Sequence, residues 1–223
     1  MLDLHAHILP GVDDGARTQD EALKMLNAAS SIGVDTIVAT PHVRSESANY
    51  PKIFAAYEWL SSRASVAGVR LLLGYEVYYR VLLNKDPARL RHLCITNTNT
   101  LLLELSNDHL FPQWEYILSD LVQEGYDPVI AHPERYVYIQ EHPEIIAQMR
   151  RYGCKIQLDA RVFQKPFFSR ERIAAEKLLR FGWADYIASD AHHPDDYKYL
   201  QKIHRRLKEN WPGGVPADLS LHV

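Results

Sequence analysis

Cysteine is almost missing from this chain of 223 residues: Cys94 and Cys154 are the only two. A pair without metal-finger spacing excludes a disulfide framework and a thiolate metal ribbon, and points to a reducing cytoplasm. Long apolar runs are missing too. Stretches such as "VRLLLGYEVYY" stop far short of the ~20 residues that a membrane helix needs, and no secretory segment is expected ahead of the first strand. The expectation is a soluble protein without direct membrane insertion. Charge of one sign is not in excess either. A formal net charge of −3 gives no long-range field that would recruit nucleic acid or an anionic membrane, which leaves local recognition of the ligand. Repeats, low-complexity tracts and linkers are absent. A composition that is 47% hydrophobic and 24% charged suits one hydrophobic core in a single domain over residues 1–223.

What is present is a regular alternation. Seven runs rich in Val, Ile and Leu predict strands over residues 2–5, 34–42, 69–77, 100–105, 127–135, 154–159 and 185–193. Helical patterns fall between them, clearest from Thr18, where Thr18 and Glu21 spell a capping box, Ala22, Met25, Leu26 and Ala29 recur on one face, and Gly33 ends the run. Further helices are predicted near 51–67, 113–125, 143–153, 169–182 and 195–210. Strands alternating with helices make βαβ units, so the fold class is α/β with a parallel sheet, open or closed into a barrel.

The informative feature is what stands at the C-terminal ends of the predicted strands: His5 with His7, then His42, Glu76, Glu104, His132, and Asp190 with His192. In parallel α/β folds these ends meet at one face, where barrels carry their active sites. Side chains alternate along a strand, so His5 and His7 point the same way, as do Asp190 and His192, and each pair can grip one ion. A lone strand histidine is ordinarily a hydrogen-bonded core or surface residue; eight such placements at the ends of six strands make a pattern. Glu104 lies among Leu101, Leu102, Leu103 and Leu105, where an unpaired carboxylate costs several kcal/mol and calls for a cation. "GVDDGA" is also a turn sequence, in which Asp13 is read as the turn residue and Asp14 as a ligand candidate; Asp159, ending "CKIQLD", stays ambiguous. Histidines and carboxylates without thiolate favour manganese, iron or zinc over copper, and this many donors suit two or three ions.

In this order, "DLHAHILPGVDDGA", "IVATPH", "GYEV", "LLLEL", "VIAHPER" and "IASDAH" resemble the polymerase and histidinol phosphatase (PHP) superfamily. "HILPGVDDGA" and "AHPERY" resemble its manganese-dependent protein-tyrosine phosphatase branch, encoded with bacterial capsule and exopolysaccharide synthesis. The resemblance implies the PHP fold, a distorted, TIM-like (βα)7 barrel of seven strands, with three metal ions at its C-terminal face. It implies Mn2+ ligands at His5, His7, Asp14, His42, Glu76, Glu104, His132, Asp190 and His192, a substrate-phosphate residue at Arg135, and catalytic roles for Arg135, Asp190 and His42. The implied activity is hydrolysis of phosphotyrosine on the tyrosine-rich tail of a bacterial tyrosine kinase, by attack of a water activated between the ions. A homo-oligomer is compatible with it.

The sequence departs from that family at one point. After "SDAH" the family carries Asn and then an arginine, in a Gly- or Pro-containing loop, that helps hold phosphate. Here the text is "HHPDDYKYLQKIHRRL", and Arg205 and Arg206 fall too far into a predicted helix to replace it. The tail "ENWPGGVPADLSLHV" also differs from the family's usual end. Arg135 offers a planar fork to two phosphate oxygens, while Arg44, just past His42, reads either as a second fork or as an exposed loop arginine. Cys94 and Cys154 lack a glycine-rich phosphate cradle and a following arginine, which disfavours a cysteine-based mechanism and leaves both to the core. His92, His109, His142, His193, His204 and His222 are read as structural, Tyr75, Tyr78 and Tyr79 as a packed aromatic cluster, and "KIHRRLK" as a solvated helix face. Two other functions stay open, a small-molecule phosphoesterase such as a histidinol-phosphate phosphatase, and a weakly catalytic module that binds the phosphorylated tail. An amidohydrolase barrel is set aside for want of a strand-end lysine and an eighth strand.

Overall fold

The structure, a computed structural model, describes residues 1–210 apart from Glu46, Asn84 and Lys85; His222 and the divergent tail from residue 211 on lie outside the described residues. Its strands are β1 (Leu2–Ala6), β2 (Thr36–Ala39), β3 (His42–Val43), β4 (Arg70–Leu73), β5 (Glu76–Tyr78), β6 (Thr100–Glu104), β7 (Asp127–Ala131), β8 (Lys155–Asp159) and β9 (Tyr186–Ala188). Two predicted strands are therefore each broken in two, at Thr40-Pro41 and at Gly74-Tyr75. Pro41 has no N–H to continue a ladder, and Gly74 packs so closely that a Cβ there would lie 2.9 Å from Ile95 Cγ1 and 3.1 Å from Val38 Cγ1. The breaks are aligned. Gly74 N donates to Ala39 O at 2.9 Å and Glu76 N to Pro41 O at 3.1 Å, so the two chains bend as a pair.

This bend hands the ladder from a sheet of order β1-β2-β4 to one of order β3-β5-β6-β7-β8-β9, all pairs parallel. The segment after β9 returns to β1. Asp190 N donates to His5 O and His7 N to Ala191 O, each at 2.9 Å. Below them the buried Asp3 carboxylate accepts from Ser189 N at 2.8 Å and Ser189 Oγ at 2.6 Å. Burial pushes the Asp3 carboxyl up to about 6 although both bonds pull it down.

Helices cover the outer faces: α1 (Gln19–Ser31), α2 (Tyr50–Val66), α3 (Trp114–Gln123), α4 (Val137–Glu141), α5 (Glu144–Arg151), α6 (Arg170–Arg180) and α7 (Tyr197–Asn210). Thr18 caps α1 as predicted, accepting from Glu21 N at 3.2 Å, but Glu21 returns to Arg17 N at 2.9 Å rather than to Thr18, so the predicted box closes one residue early. The single turn of α4 is beyond a periodicity reading, which needs a longer window. Apolar residues divide accordingly. A large cluster, including Met25, Leu26, Ile37, Leu118 and Ile130, lies under the helices. A smaller one gathers Leu4, Val38, Leu72, Leu102, Val129 and Tyr186, one from each of six strands. Among the described residues no helix is long and apolar enough to cross a membrane.

Two predicted strands also stop early, and both stops matter. β7 ends at Ala131 rather than at residue 135, because His132 turns to φ 33° and leads into the Pro133–Arg135 turn. β9 ends at Ala188, and Asp190 adopts φ 46°. Left-handed backbone at non-glycine residues is strained, and such strain gathers where side chains must be aimed.

Candidate metal centre

His5 in β1 and His7 just past its end set the geometry. His5 Nδ1 is 3.0 Å from Gln157 Oε1, and His7 Nδ1 is 2.8 Å from Asp13 Oδ2. With both Nδ1–H groups so engaged, the two Nε2 atoms meet at 3.1 Å and aim at one point, where a proton or a metal cation can sit between them. Asp13 also accepts from Gly15 N at 3.1 Å and His42 N at 3.2 Å, which folds the loop onto β1. The loop sits so tightly that a Cβ on Gly15 would fall 1.9 Å from His7 O. Asp13 is thus the turn residue expected and, beyond that, the partner that orients His7.

Around this pair the other strand ends close in. Asp190 Oδ1 lies 3.3 Å from both Nε2 atoms. Glu76 Oε2 lies 3.5 Å from His5 Nε2, 3.4 Å from His7 Nε2 and 2.8 Å from His42 Nδ1, and its Oε1 lies 2.7 Å from His132 Nε2. Asp14 Oδ1 stands 3.2 Å from His42 Nε2 and 3.5 Å from His192 Nε2. The nine predicted residues fall into four overlapping groups, each with donor atoms within 4.8 Å of one another: His7, Asp14, His42 and His192; His5, His7 and Asp190; His5, Glu76 and His132; His42, Glu76 and Glu104.

The electrostatics suit bound cations. Burial alone would lower the His5 imidazole, yet Asp190 and Glu76 outweigh it and bring it up to about 9. His7 is likewise held well above its ordinary value by Asp13, Asp190 and Glu76, against its burial. In return Glu76 and Asp190 stay well below theirs in spite of burial, through His5 above all. Glu104 is pushed up by burial and then by Glu76. Protons occupy the place of a stronger positive charge. The buried atoms His42 Nδ1, Glu76 Oε2, Glu104 Oε2 and His132 Nδ1 have no aligned hydrogen bond, a cost that a shared divalent ion removes. Oxygen and imidazole donors, with no thiolate, suit manganese, iron or zinc.

Arg135 extends from the turn after β7 to Asp190 and, at 2.6 Å, to Asp159 Oδ2. The ambiguous strand-end aspartate is therefore the partner of Arg135. Its N–H in turn donates to the buried Glu134 Oε1 at 2.9 Å, and burial followed by repulsion from Asp159 pushes the Glu134 carboxyl up to about 8. Arg44 places NH2 3.1 Å from His42 Nε2 at the opening of the site. Beside Asp190 and His192 a cavity of about 580 Å³ opens, walled also by Asn107, Arg135, Arg161 and Lys165. The sequence leaves Asp159 ambiguous and gives no expectation for Gln157 and Arg161, although the spacing holds a signal. Gln157 and Asp159 share a face of β8 with two-residue spacing.

Among the described residues, the other histidines and tyrosines singled out in the sequence have partners away from the cluster, and Tyr75 packs apart from Tyr78 and Tyr79 rather than in one group with them. His193 caps the turn before α7 and His109 meets Ser106 and Tyr79. Tyr75 packs edge-on to Tyr50, while Tyr79 stacks on Phe111. In α7, Ile203 and Leu207 are buried, and Arg206 pairs with Glu176 at 2.8 Å and 3.0 Å. Both cysteines are buried, which pushes the Cys94 thiol up to about 11 and that of Cys154 to about 12.

Residues 1–209 match the family described as capsular polysaccharide synthesis, CpsB/CapC. The chain belongs to this family. Among CpsB/CapC relatives, the tyrosine-protein phosphatase YwqE of Bacillus subtilis is 32% identical over 197 residues, 86% of this chain and 78% of that protein. A crystal structure from a study of YwqE and of CpsB from Streptococcus pneumoniae, described as metal-dependent tyrosine phosphatases, superposes with a TM-score of 0.84 at 29% identity, covering 95% of this chain and 87% of the other. HisK from Listeria monocytogenes shares the fold alone, at a TM-score of 0.58 and 11% identity over 94% of this chain and 100% of that one.

Proposed function

We propose that this CpsB/CapC member is a metal-dependent protein-tyrosine phosphatase acting on a bacterial tyrosine kinase that controls capsular or exopolysaccharide synthesis. One observation carries the reading: a cluster of imidazole and carboxylate donors at the end of β1 has a guanidinium, Arg135, standing against its Asp190 at the wall of a cavity. The nine clustered residues are assigned as ligands of two or three Mn2+ ions, with iron or zinc suited to the same donors. Bound divalent ions supply charge neutralisation at the phosphoryl oxygens and an acidified water for in-line attack. The protein's own groups do the rest. Gln157 and Asp13 fix the tautomers of His5 and His7 so that both Nε2 lone pairs face inward. The Arg135 fork takes two phosphoryl oxygens, and Asp159 holds its orientation. Arg44 is placed to add a further contact at the opening. A tyrosine leaving group, with a pKa of about 10, departs with little help from a proton donor.

The strands are proposed to wrap as a distorted barrel of seven staves in a single domain, a reading supported by the β1 to β9 hydrogen bonds and by the inner apolar cluster. Two buried free thiols support a reducing cytoplasm. The test is hydrolysis of a phosphotyrosyl peptide patterned on a kinase tail, with manganese and with chelator. Activity is expected only with metal, and Arg135→Ala is expected to lose about 100-fold in kcat/KM while elemental analysis finds its ions in place. Faster turnover of histidinol phosphate, or tight peptide binding without turnover, overturns the assignment.

A further inference from the structure

The cavity is bordered by a segment far more basic than the chain that carries it. Residues 161–172, "RVFQKPFFSRER", run from the end of β8 into the first turn of α6 with four cations, Arg161, Lys165, Arg170 and Arg172, against one carboxylate, Glu171. The whole protein has a formal net charge of −3. Arg161 and Lys165 line the cavity itself, and its volume of about 580 Å³ leaves room beyond a phosphotyrosine side chain for the residues flanking it. Of the carboxylates that these cations meet, one is near solvent: Lys165, 39% exposed, pairs with Glu171, 32% exposed, and such a pair is weak and exchanges readily for a carboxylate brought by a ligand. Arg161, itself 39% exposed, keeps NH2 3.1 Å from Asp196 Oδ2, a carboxylate held in place by the His192 and His193 N–H groups. Arg161 Nε is buried and has no hydrogen-bond partner. At the outer edge of the same segment Phe167 and Phe168 are 81% and 84% exposed, with the Arg172 guanidinium 3.9 Å over the Phe167 ring. Neighbouring exposed aromatics and cations beside a reaction site make a surface for a peptide.

We propose that Arg161 and Lys165, with Phe167 and Phe168 outside them, form a subsite that selects phosphotyrosyl peptides bearing acidic residues next to the phosphotyrosine. The inference rests on the phosphatase reading above and adds a sequence preference to it. Phosphoryl recognition stays with Arg135 and the metal ligands, whereas the 161–172 segment reads the substrate's flanks.

The experiment uses manganese-loaded protein and two phosphotyrosyl peptides that differ only in three flanking Glu or three flanking Gln residues, with p-nitrophenyl phosphate as a substrate that has no flanks. The Glu peptide is expected to be preferred by about tenfold in kcat/KM, and rising salt should shrink that ratio. The double variant Arg161→Ala, Lys165→Ala should bring the ratio to about one. Lys165→Glu, which leaves the Arg161 to Asp196 contact in place, should invert it. Fluorescence anisotropy with the same peptides reads the preference without turnover, so absence of all hydrolysis defeats the phosphatase reading while binding still judges the subsite. An equal rate and affinity for the two peptides in the wild type overturns the proposal. So does a preference that survives in both variants, or a matching fall with p-nitrophenyl phosphate, which would assign Arg161 to the phosphoryl group itself.

Discussion

The strand-end cluster and the 161–172 segment meet at the cavity beside Asp190 and His192, yet they are built by opposite rules. The cluster draws most of its donors from the ends of six strands, fixes them by register and buries its centre; His5, His7, Glu76, His132 and Asp190 are all buried. Its partners are other side chains of the protein, as Gln157 is for His5 and Asp13 for His7. The segment takes all its candidates from one connection, leaves Phe167 and Phe168 in solvent and holds Lys165 in a pair near the surface. Placement within about 0.5 Å is a property of rigid elements, and chemistry belongs there. Recognition tolerates adjustment and belongs on loops, where sequence can change without disturbing the scaffold.

If this division is right, substitutions should sort by region. The largest effect is expected from His5→Ala, which removes a donor common to two groups: activity should fall by ~1,000-fold or more, with metal content reduced by elemental analysis. Full activity and full metal in that variant would break the comparison at its root. Asp13→Ala should act one step removed, weakening metal affinity by about 10- to 100-fold in a chelator competition, because His7 loses its orienting acceptor. Asp159→Asn should raise KM for phosphotyrosyl peptide by roughly tenfold with metal retained, since Arg135 keeps Asp190 but loses its other anchor.

The smallest effect is expected from the thiols. With Cys94 pushed up to about 11 and Cys154 to about 12, both stay protonated near neutral pH, and iodoacetamide at pH 7.5 should leave activity within about twofold of the control. Their upward shift also fixes a sign. The folded state disfavours the thiolate, so as pH rises above the ordinary thiol value of 9.0 these groups favour the unfolded chain progressively, until pH passes about 11 for Cys94 and about 12 for Cys154. Replacing either with serine should flatten that alkaline loss in a melting series.

The two regions are also unequally legible. Every cluster donor except Asp14, which a turn brings in, stands at the end of an apolar run, so period-two alternation in a parallel fold brings them to one face. Local chemistry blurs the ends. The apolar pattern puts His132 and Asp190 in strands, but φ of 33° and 46° takes them out, and a hydrophobic pattern carries no information about a backbone bent to aim a side chain. Pro41 and Gly74 lie inside predicted strands, and their breaks follow from a missing N–H and a close approach that only the neighbouring strand reveals. Arg161 is invisible in the sequence because nothing at its own position distinguishes a cavity wall from a surface turn. Its meaning comes from Asp190 and His192 across the cavity, residues that it meets only after folding.

The contact between Asp3 and Ser189 spans 186 positions of sequence. On the ribosome His5 and His7 therefore emerge well before Asp190, which follows β9, and their carboxylate cage can close only after that segment is made. A cluster lacking β9 and Asp190 would be left as an incomplete, loosely binding half-site.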